Sequence, residues 1–231
     1  MNIFLTRIAL LVALACSVAS AQAGSLDDFF VAIHRNDPAT LQALVNRGFD
    51  PNSFDENGEP ALVKALKLGS LDAANVLMNA PRVKLNATNQ MGENALMMAS
   101  LQGRLSEVQA LIEKGADVNK SGWTPLHYAS SGTSPAQSDI VDALLRDYAY
   151  IDAPSPNGST PLMMAAKYAS SALVKQLLEE GADPALRNQL GLNAVDFANQ
   201  AHRADVAKMI QKVIDETPNP PPLTQGTHAG Q

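Results

Sequence analysis

The sequence predicts an all-α solenoid of stacked helix-turn-helix units, about six of them including the caps. Three observations predict it. First, Gly122-Trp123-Thr124-Pro125-Leu126-His127-Tyr128-Ala129 recurs as Gly158-Ser159-Thr160-Pro161-Leu162-Met163-Met164-Ala165, with looser copies from Gly58, Gly92 and Gly191. Second, Gly115-Ala116-Asp117-Val118-Asn119 recurs in part from Gly181 and from Gly48. Its final position marks Asn52, Asn86, Asn119, Asp152 and Ala185, at steps of 34, 33, 33 and 33 residues. Third, apolar residues between the marks keep helical spacing, as in Val108, Leu111, Ile112 and Val174, Leu177, Leu178. Units of this length cannot bury such stripes alone and do so by stacking.

Taken in order, Met1–Ala23 is expected to be a secretory signal peptide. Arg7 precedes an apolar run from Ile8 to Ala19, and Ala21-Gln22-Ala23 sets small residues at −3 and −1 of a cleavage site. The run is too short to span a bilayer core of about 30 Å. Cys16, the single cysteine, lies inside this leader, so a chain cut after Ala23 has no thiol for a disulfide, a nucleophile or a metal. Ala13-Leu14-Ala15 faintly resembles a lipoprotein signal, and a lipid anchor at Cys16 is the alternative to cleavage at the better-formed Ala-Gln-Ala site. A periplasmic or secreted location is expected.

Residues 24–54 are read as an N-terminal capping unit opened by Leu26-Asp27-Asp28-Phe29-Phe30. Residues 55–188 hold four repeats beginning near Asp55, Asn89, Lys120 and Ser155. Residues 189–214 form a C-terminal capping repeat whose outer face carries Lys208, Gln211 and Lys212. Each end is expected to be a degenerate half unit. Residues 215–231, with Pro218, Pro220, Pro221 and Pro222, read as a disordered tail.

Within a unit, Thr124 and Thr160 stand where a helix N-cap belongs, and Pro125 and Pro161 take the first helical position, where a missing N–H costs nothing. Asn94 and Asn193 can cap in the same way; Pro60 cannot, a deficit of about 1 kcal/mol. Gly115 and Gly181 stand where a left-handed residue ends the second helix. Two departures from the period adjoin. Asn119 to Gly122 is three residues where the equivalent steps are six, and Ala129 to Val141 is twelve where the others are nine. A shortened finger is therefore expected beside an enlarged loop, Ser130–Ser138.

The period, Thr-Pro-Leu-His at 124–127 and Gly-Ala-Asp-Val-Asn at 115–119 together resemble the ankyrin repeat, over about Leu26 to Ile214. The resemblance implies a β-turn finger and two antiparallel helices per unit. It also implies a partner-facing concave side made of finger tips and inner helices. Residues matching the family's variable positions are Phe54, Glu56, Asn57, Glu59, Gln90, Met91, Glu93, Leu101, Trp123, Ser159, Lys167, Tyr168 and Leu192. Exposed aromatics among them are hot-spot candidates, and Glu56, Glu59 and Glu93 would favour a basic patch on the partner. His127 is implied to tie neighbouring turns. The resemblance is to exported bacterial ankyrin proteins, some of which accompany periplasmic oxidative-stress enzymes, an association that these residues do not themselves carry.

Catalytic patterns are not found. No Gly-Lys-Ser/Thr phosphate loop, Gly-x-Gly-x-x-Gly or Gly-x-Ser-x-Gly occurs. His34, His127, His202 and His228 have no second ligand at metal spacing. The adjacent pairs Asp27-Asp28, Glu179-Glu180 and Asp215-Glu216 diverge by about 100° on a helix and do not converge on a substrate. Met97-Met98 and Met163-Met164 read as adaptable packing whose oxidation would loosen the stack. With 17 Lys+Arg against 23 Asp+Glu and a net charge of −6, nucleic-acid binding is disfavoured. The expectation is a monomeric, non-enzymatic protein-binding module without cofactor or metal. The alternatives are an immunity protein that blocks a toxin enzyme and, from another class, a hydrolase or metal enzyme on the same scaffold.

Overall fold

Each first helix starts where the recurring turn residues end. The computed structural model describes residues 26–216; the leader with Cys16, and residues 217–231 with the four prolines and His228, lie outside the described residues. Among the described residues twelve helices form six consecutive pairs. They are α1 (26–34) with α2 (Pro38–Asn46), α3 (Ala61–Leu68) with α4 (Leu71–Met78), α5 (Ala95–Leu101) with α6 (Leu105–Glu113), α7 (Pro125–Ala129) with α8 (Gln137–Arg146), α9 (Pro161–Tyr168) with α10 (Ser171–Glu179), and α11 (Ala194–Gln200) with α12 (Ala204–Glu216). Both end units are thus full helix pairs rather than halves. The tail boundary also moves, because α12 runs through Asp215 to Glu216.

The caps follow the expected chemistry. Asn94, Thr124, Thr160 and Asn193 each accept the backbone N–H three residues on, and Pro125 and Pro161 open their helices. Pro60 precedes α3 with no side-chain cap. The third helical residue returns the bond. His127 Nδ1 and Asp196 Oδ2 accept the cap's own N–H at 3.2 and 2.9 Å. The thioethers of Met97 and Met163 do so at 3.5 and 3.4 Å.

First helices α3, α5, α7, α9 and α11 pack on one another in one layer, and second helices α6, α8, α10 and α12 in the other. The motif alanines Ala65, Ala99, Ala129, Ala165 and Ala198 are fully buried between first helices, where the small side chain lets backbones approach. The core leucines Leu96, Leu126 and Leu162 are equally buried, each contributing about 1.5–3 kcal/mol. At the first end, Phe29 closes the core against Phe49 and Phe30, ring centroids 4.4 and 5.4 Å away. At the other, Lys208, Gln211 and Lys212 are exposed.

Second helices leave through loops that share one hydrogen-bond ladder. Asn52 Oδ1 accepts from Lys84 N at 2.7 Å, Asn86 Oδ1 from Asp117 N at 2.9 Å, Asn119 Oδ1 from Tyr150 N at 2.9 Å, and Asp152 Oδ1 from Asp183 N at 3.1 Å. The period's marker residues are thus the acceptors, and Ala185 is the first marker without one. In these loops Gly115 and Gly181 hold φ of 87° and 94°, as a left-handed helix end requires.

Candidate partner-binding face

Fingers are built by one polar residue each. Asp55 Oδ1 accepts from Asn57 N and Glu59 N, both at 2.9 Å, while Gly58 N donates to Asp55 O at 3.0 Å. Asn89 and Asn188 repeat the pattern with their own tips. In the third such finger, Ser155 Oγ accepts from Ser159 N at 3.0 Å. Successive tips are tied, Gln90 Nε2 to Asn57 O at 3.2 Å and Gln189 N to Asn157 O at 3.0 Å.

The fourth unit has no such residue, and its finger is missing its tip as the spacing predicts. Lys120 Nζ instead reaches Gly92 O at 3.2 Å. On the other side, His127 Nε2 reaches Ser159 O at 2.9 Å. A carbonyl can only accept, so Nε2 carries the proton and Nδ1 is the acceptor that serves Thr124. Burial holds the His127 pKa below its ordinary value, and the bond to Ser159 opposes this only in part. His127 therefore replaces, between units four and five, the tie that finger tips supply elsewhere.

The enlarged loop has a second cause: α7 is only five residues, against eight for α9. Gln137, buried, sends Nε2 back to Leu101 O at 3.0 Å. Gly132 is needed for this approach, since a Cβ there would stand 2.7 Å from that carbonyl and inside the Gln137 amide.

Together the missing tip and short helix open a cleft of about 260 Å3 between the third and fifth units, lined by Leu101, Trp123, His127, Tyr128, Ser131 and Met164. Trp123 is half-buried, with its ring edge-on to His127 at 5.2 Å. It packs in part against the buried core rather than standing free in solvent. Tyr128 Oη donates to Glu93 Oε1 at 2.8 Å; burial, then the Glu93 carboxylate, push the phenol pKa up.

The other expected residues divide three ways. Phe54, Glu56, Asn57, Gln90, Met91 and Tyr168 are exposed, with Phe54 at 49%, Met91 at 70% and Tyr168 at 47%. Glu59, Glu93, Lys167 and Leu192 are half-buried, and the three charged ones are engaged: Glu59 with Lys67 Nζ at 2.9 Å, Glu93 with Tyr128, and Lys167 Nζ above the Tyr168 ring at 5.2 Å. Asp55 pairs with Lys64 at 2.6 Å. Burial alone would raise the Asp55 pKa, but Lys64 and two backbone N–H groups bring it below the usual value. The acidic side chains expected to seek a basic partner are therefore largely satisfied within the chain, leaving Glu56 as the exposed exception.

Ser159 is a correction. It is 1% exposed, its carbonyl bonded to His127 and its hydroxyl to Asn188 Nδ2 at 3.2 Å. The next unit covers it, so it offers nothing to a partner. Leu68 and Leu190, exposed at 46% and 76%, lie on the same face and were not singled out. The period could have found both: Leu68 is three residues after the motif alanine, like Tyr168, and Leu190 precedes its glycine as Met91 does.

Comparison with known proteins agrees with this architecture. The family model described as "Ankyrin repeats (3 copies)" matches residues 81–155 and 136–219, more than half of the chain. Neurogenic locus notch homolog protein 1 of Mus musculus is 33% identical over 131 residues, 55% of this chain and 5% of that protein. Ankyrin repeat and SAM domain-containing protein 6 of Rattus norvegicus is 30% identical over 147 residues, 64% of this chain and 13% of that protein. The chain thus spans only a small part of these curated relatives. A chain of a solved complex, the Bd0816 predatory endopeptidase from Bdellovibrio bacteriovorus with immunity protein Bd3460, superposes with a TM-score of 0.68 at 29% identity, covering 80% of this chain and 97% of that one. No described helix is long and apolar enough to cross a membrane. Period, caps, finger geometry and family match converge: the chain belongs to the ankyrin-repeat family, a family of protein-binding modules.

Proposed function

We propose that this chain is an exported binding protein that grips its partner across the face of first helices and finger tips, with the Trp123 cleft as anchor point. The observation that carries this is the cleft itself. Trp123, Tyr128, Leu101 and Met164 converge where the regular finger is interrupted, and a part-exposed aromatic in a concavity is the usual seat of binding energy. The neighbouring charges are paired internally, so the anchor that enters is uncharged. Export rests on the Met1–Ala23 pattern alone.

A second, narrower reading is that the partner is an enzyme held inactive. It is favoured by the likeness to the endopeptidase–immunity complex over 97% of the matched chain. Affinity capture from a periplasmic extract, run in parallel with wild type and Trp123→Ala, tests the main reading. A protein retained by wild type and lost from the variant supports it; equal retention of every captured protein refutes the cleft. The narrower reading requires that the captured protein be an enzyme and that its activity fall on stoichiometric addition of the chain.

A further inference from the structure

The exit loops carry a second aromatic feature, away from the cleft. In the ladder described above, Tyr150 occupies in the fourth loop the place that Asp117 and Asp183 hold in the loops on either side. Two residues earlier, Tyr148 stands where those loops have Gly115 and Gly181. It nonetheless adopts their left-handed backbone, at φ of 62°, a conformation unfavourable for a bulky side chain. Both rings are open to solvent, Tyr148 at 83% and Tyr150 at 68%, so no packing inside the chain compensates.

The surroundings define what the rings fit. Asp117, Asp147 and Asp183 are exposed and form no ion pair among the described residues. On the neighbouring helix ends, Lys114 Nζ donates to Asn79 Oδ1 at 2.8 Å, and Arg146 Nε to Asp142 O at 3.2 Å on its own helix. Aromatic faces attract cations, arginine above all, and flanking carboxylates pair with the same guanidinium. Negative flanks also turn away nucleic acid and anionic lipid.

We propose that the Tyr148–Tyr150 edge is a second docking surface, for a basic, arginine-bearing segment of a partner protein, with guanidinium groups over the two rings between Asp117 and Asp183. The surface is independent of the Trp123 cleft, with which it shares no residue. It puts the basic complement of the partner on this edge rather than against Glu59 and Glu93.

The register supplies a test that does not threaten the fold. Tyr148→Gly with Tyr150→Asp restores what the neighbouring loops already carry. The purified full chain is titrated, by fluorescence anisotropy at low salt, with a labelled peptide of alternating glycine and arginine and with its glutamate counterpart. Wild type binds the arginine peptide and not the glutamate one. The double variant binds it at least about fivefold more weakly, the scale of two exposed cation–aromatic contacts, although it gains a carboxylate, and its melting midpoint does not fall. Asp117→Asn with Asp183→Asn also weakens binding and flattens its salt dependence. Equal or tighter binding by the double variant would show that charge alone attracts the peptide and overturn the proposal, as would no binding by wild type. Trp123→Ala leaves this titration unchanged, so the two surfaces stand or fall separately.

Discussion

His127→Met makes the fourth unit chemically like the third and fifth, where Met97 and Met163 hold the same position and cap with their sulfurs. The cap survives and the volume is nearly kept. What goes is the 2.9 Å bond from Nε2–H to Ser159 O. That carbonyl keeps a second partner, Ser155 N at 2.9 Å, so it is not orphaned. The expected loss is one net hydrogen bond, about 1 kcal/mol, or about 2–4 °C in midpoint for a chain of this size. His127→Ala adds a cavity and costs about 3 kcal/mol or more. Urea unfolding followed by Trp123, whose ring centroid is 5.2 Å from that of His127, reads both. Acid provides the control. The folded pKa of His127 lies below 6.5, so between that depressed value and 6.5 the unfolded chain binds the extra proton. Stability is full above pH 6.5 and falls as pH drops through this window, by at most about 1.4 kcal/mol per pH unit. His127→Met loses this slope. A variant as stable as wild type at pH 8, with the acid slope intact, would refute the tie between units.

Three further outcomes are expected. Trp123 in the free protein emits at an intermediate wavelength with partial acrylamide quenching, and partner binding shifts it to the blue; full protection before binding would remove it from the site. Gly115→Val costs about 2 kcal/mol from its φ of 87° alone, since nothing crowds the position, whereas Leu101→Ala, at 36% exposure on the cleft rim, costs about 1 kcal/mol or less; denaturant midpoints in reverse order would contradict the unit register. Cys16→Ser leaves the exported mass unchanged; an intact mass showing a lipidated Cys16 in wild type would replace cleavage after Ala23.

The fold was legible because its determinants are local. A cap is a side chain three residues from the N–H it satisfies, and a left-handed helix end is a property of one residue, so Thr124, Thr160, Pro125 and Gly115 could be placed without neighbours. The site was less so, because exposure in a solenoid is decided by the adjacent unit. Ser159 sits in the same column as Trp123 and Leu192, yet Asn188, 29 residues on, covers it. Glu93 looks like an outward acid until Tyr128, 35 residues away, is brought against it. The spacing located the shortened finger and the long loop, but not that α7 stops a turn early or that Gln137 crosses to Leu101.

The exit-loop ladder has a direction: every loop donates its amide to an acceptor on the preceding unit. Ala185, lacking an oxygen in its side chain, ends that series, and the exposed Lys208, Gln211 and Lys212 end the packing of the second-helix layer. A repeat whose two faces match could in principle add copies head to tail without limit. Here a unit stacked on the sixth would meet no side-chain acceptor at Ala185 and a second-helix face carrying Lys208, Gln211 and Lys212.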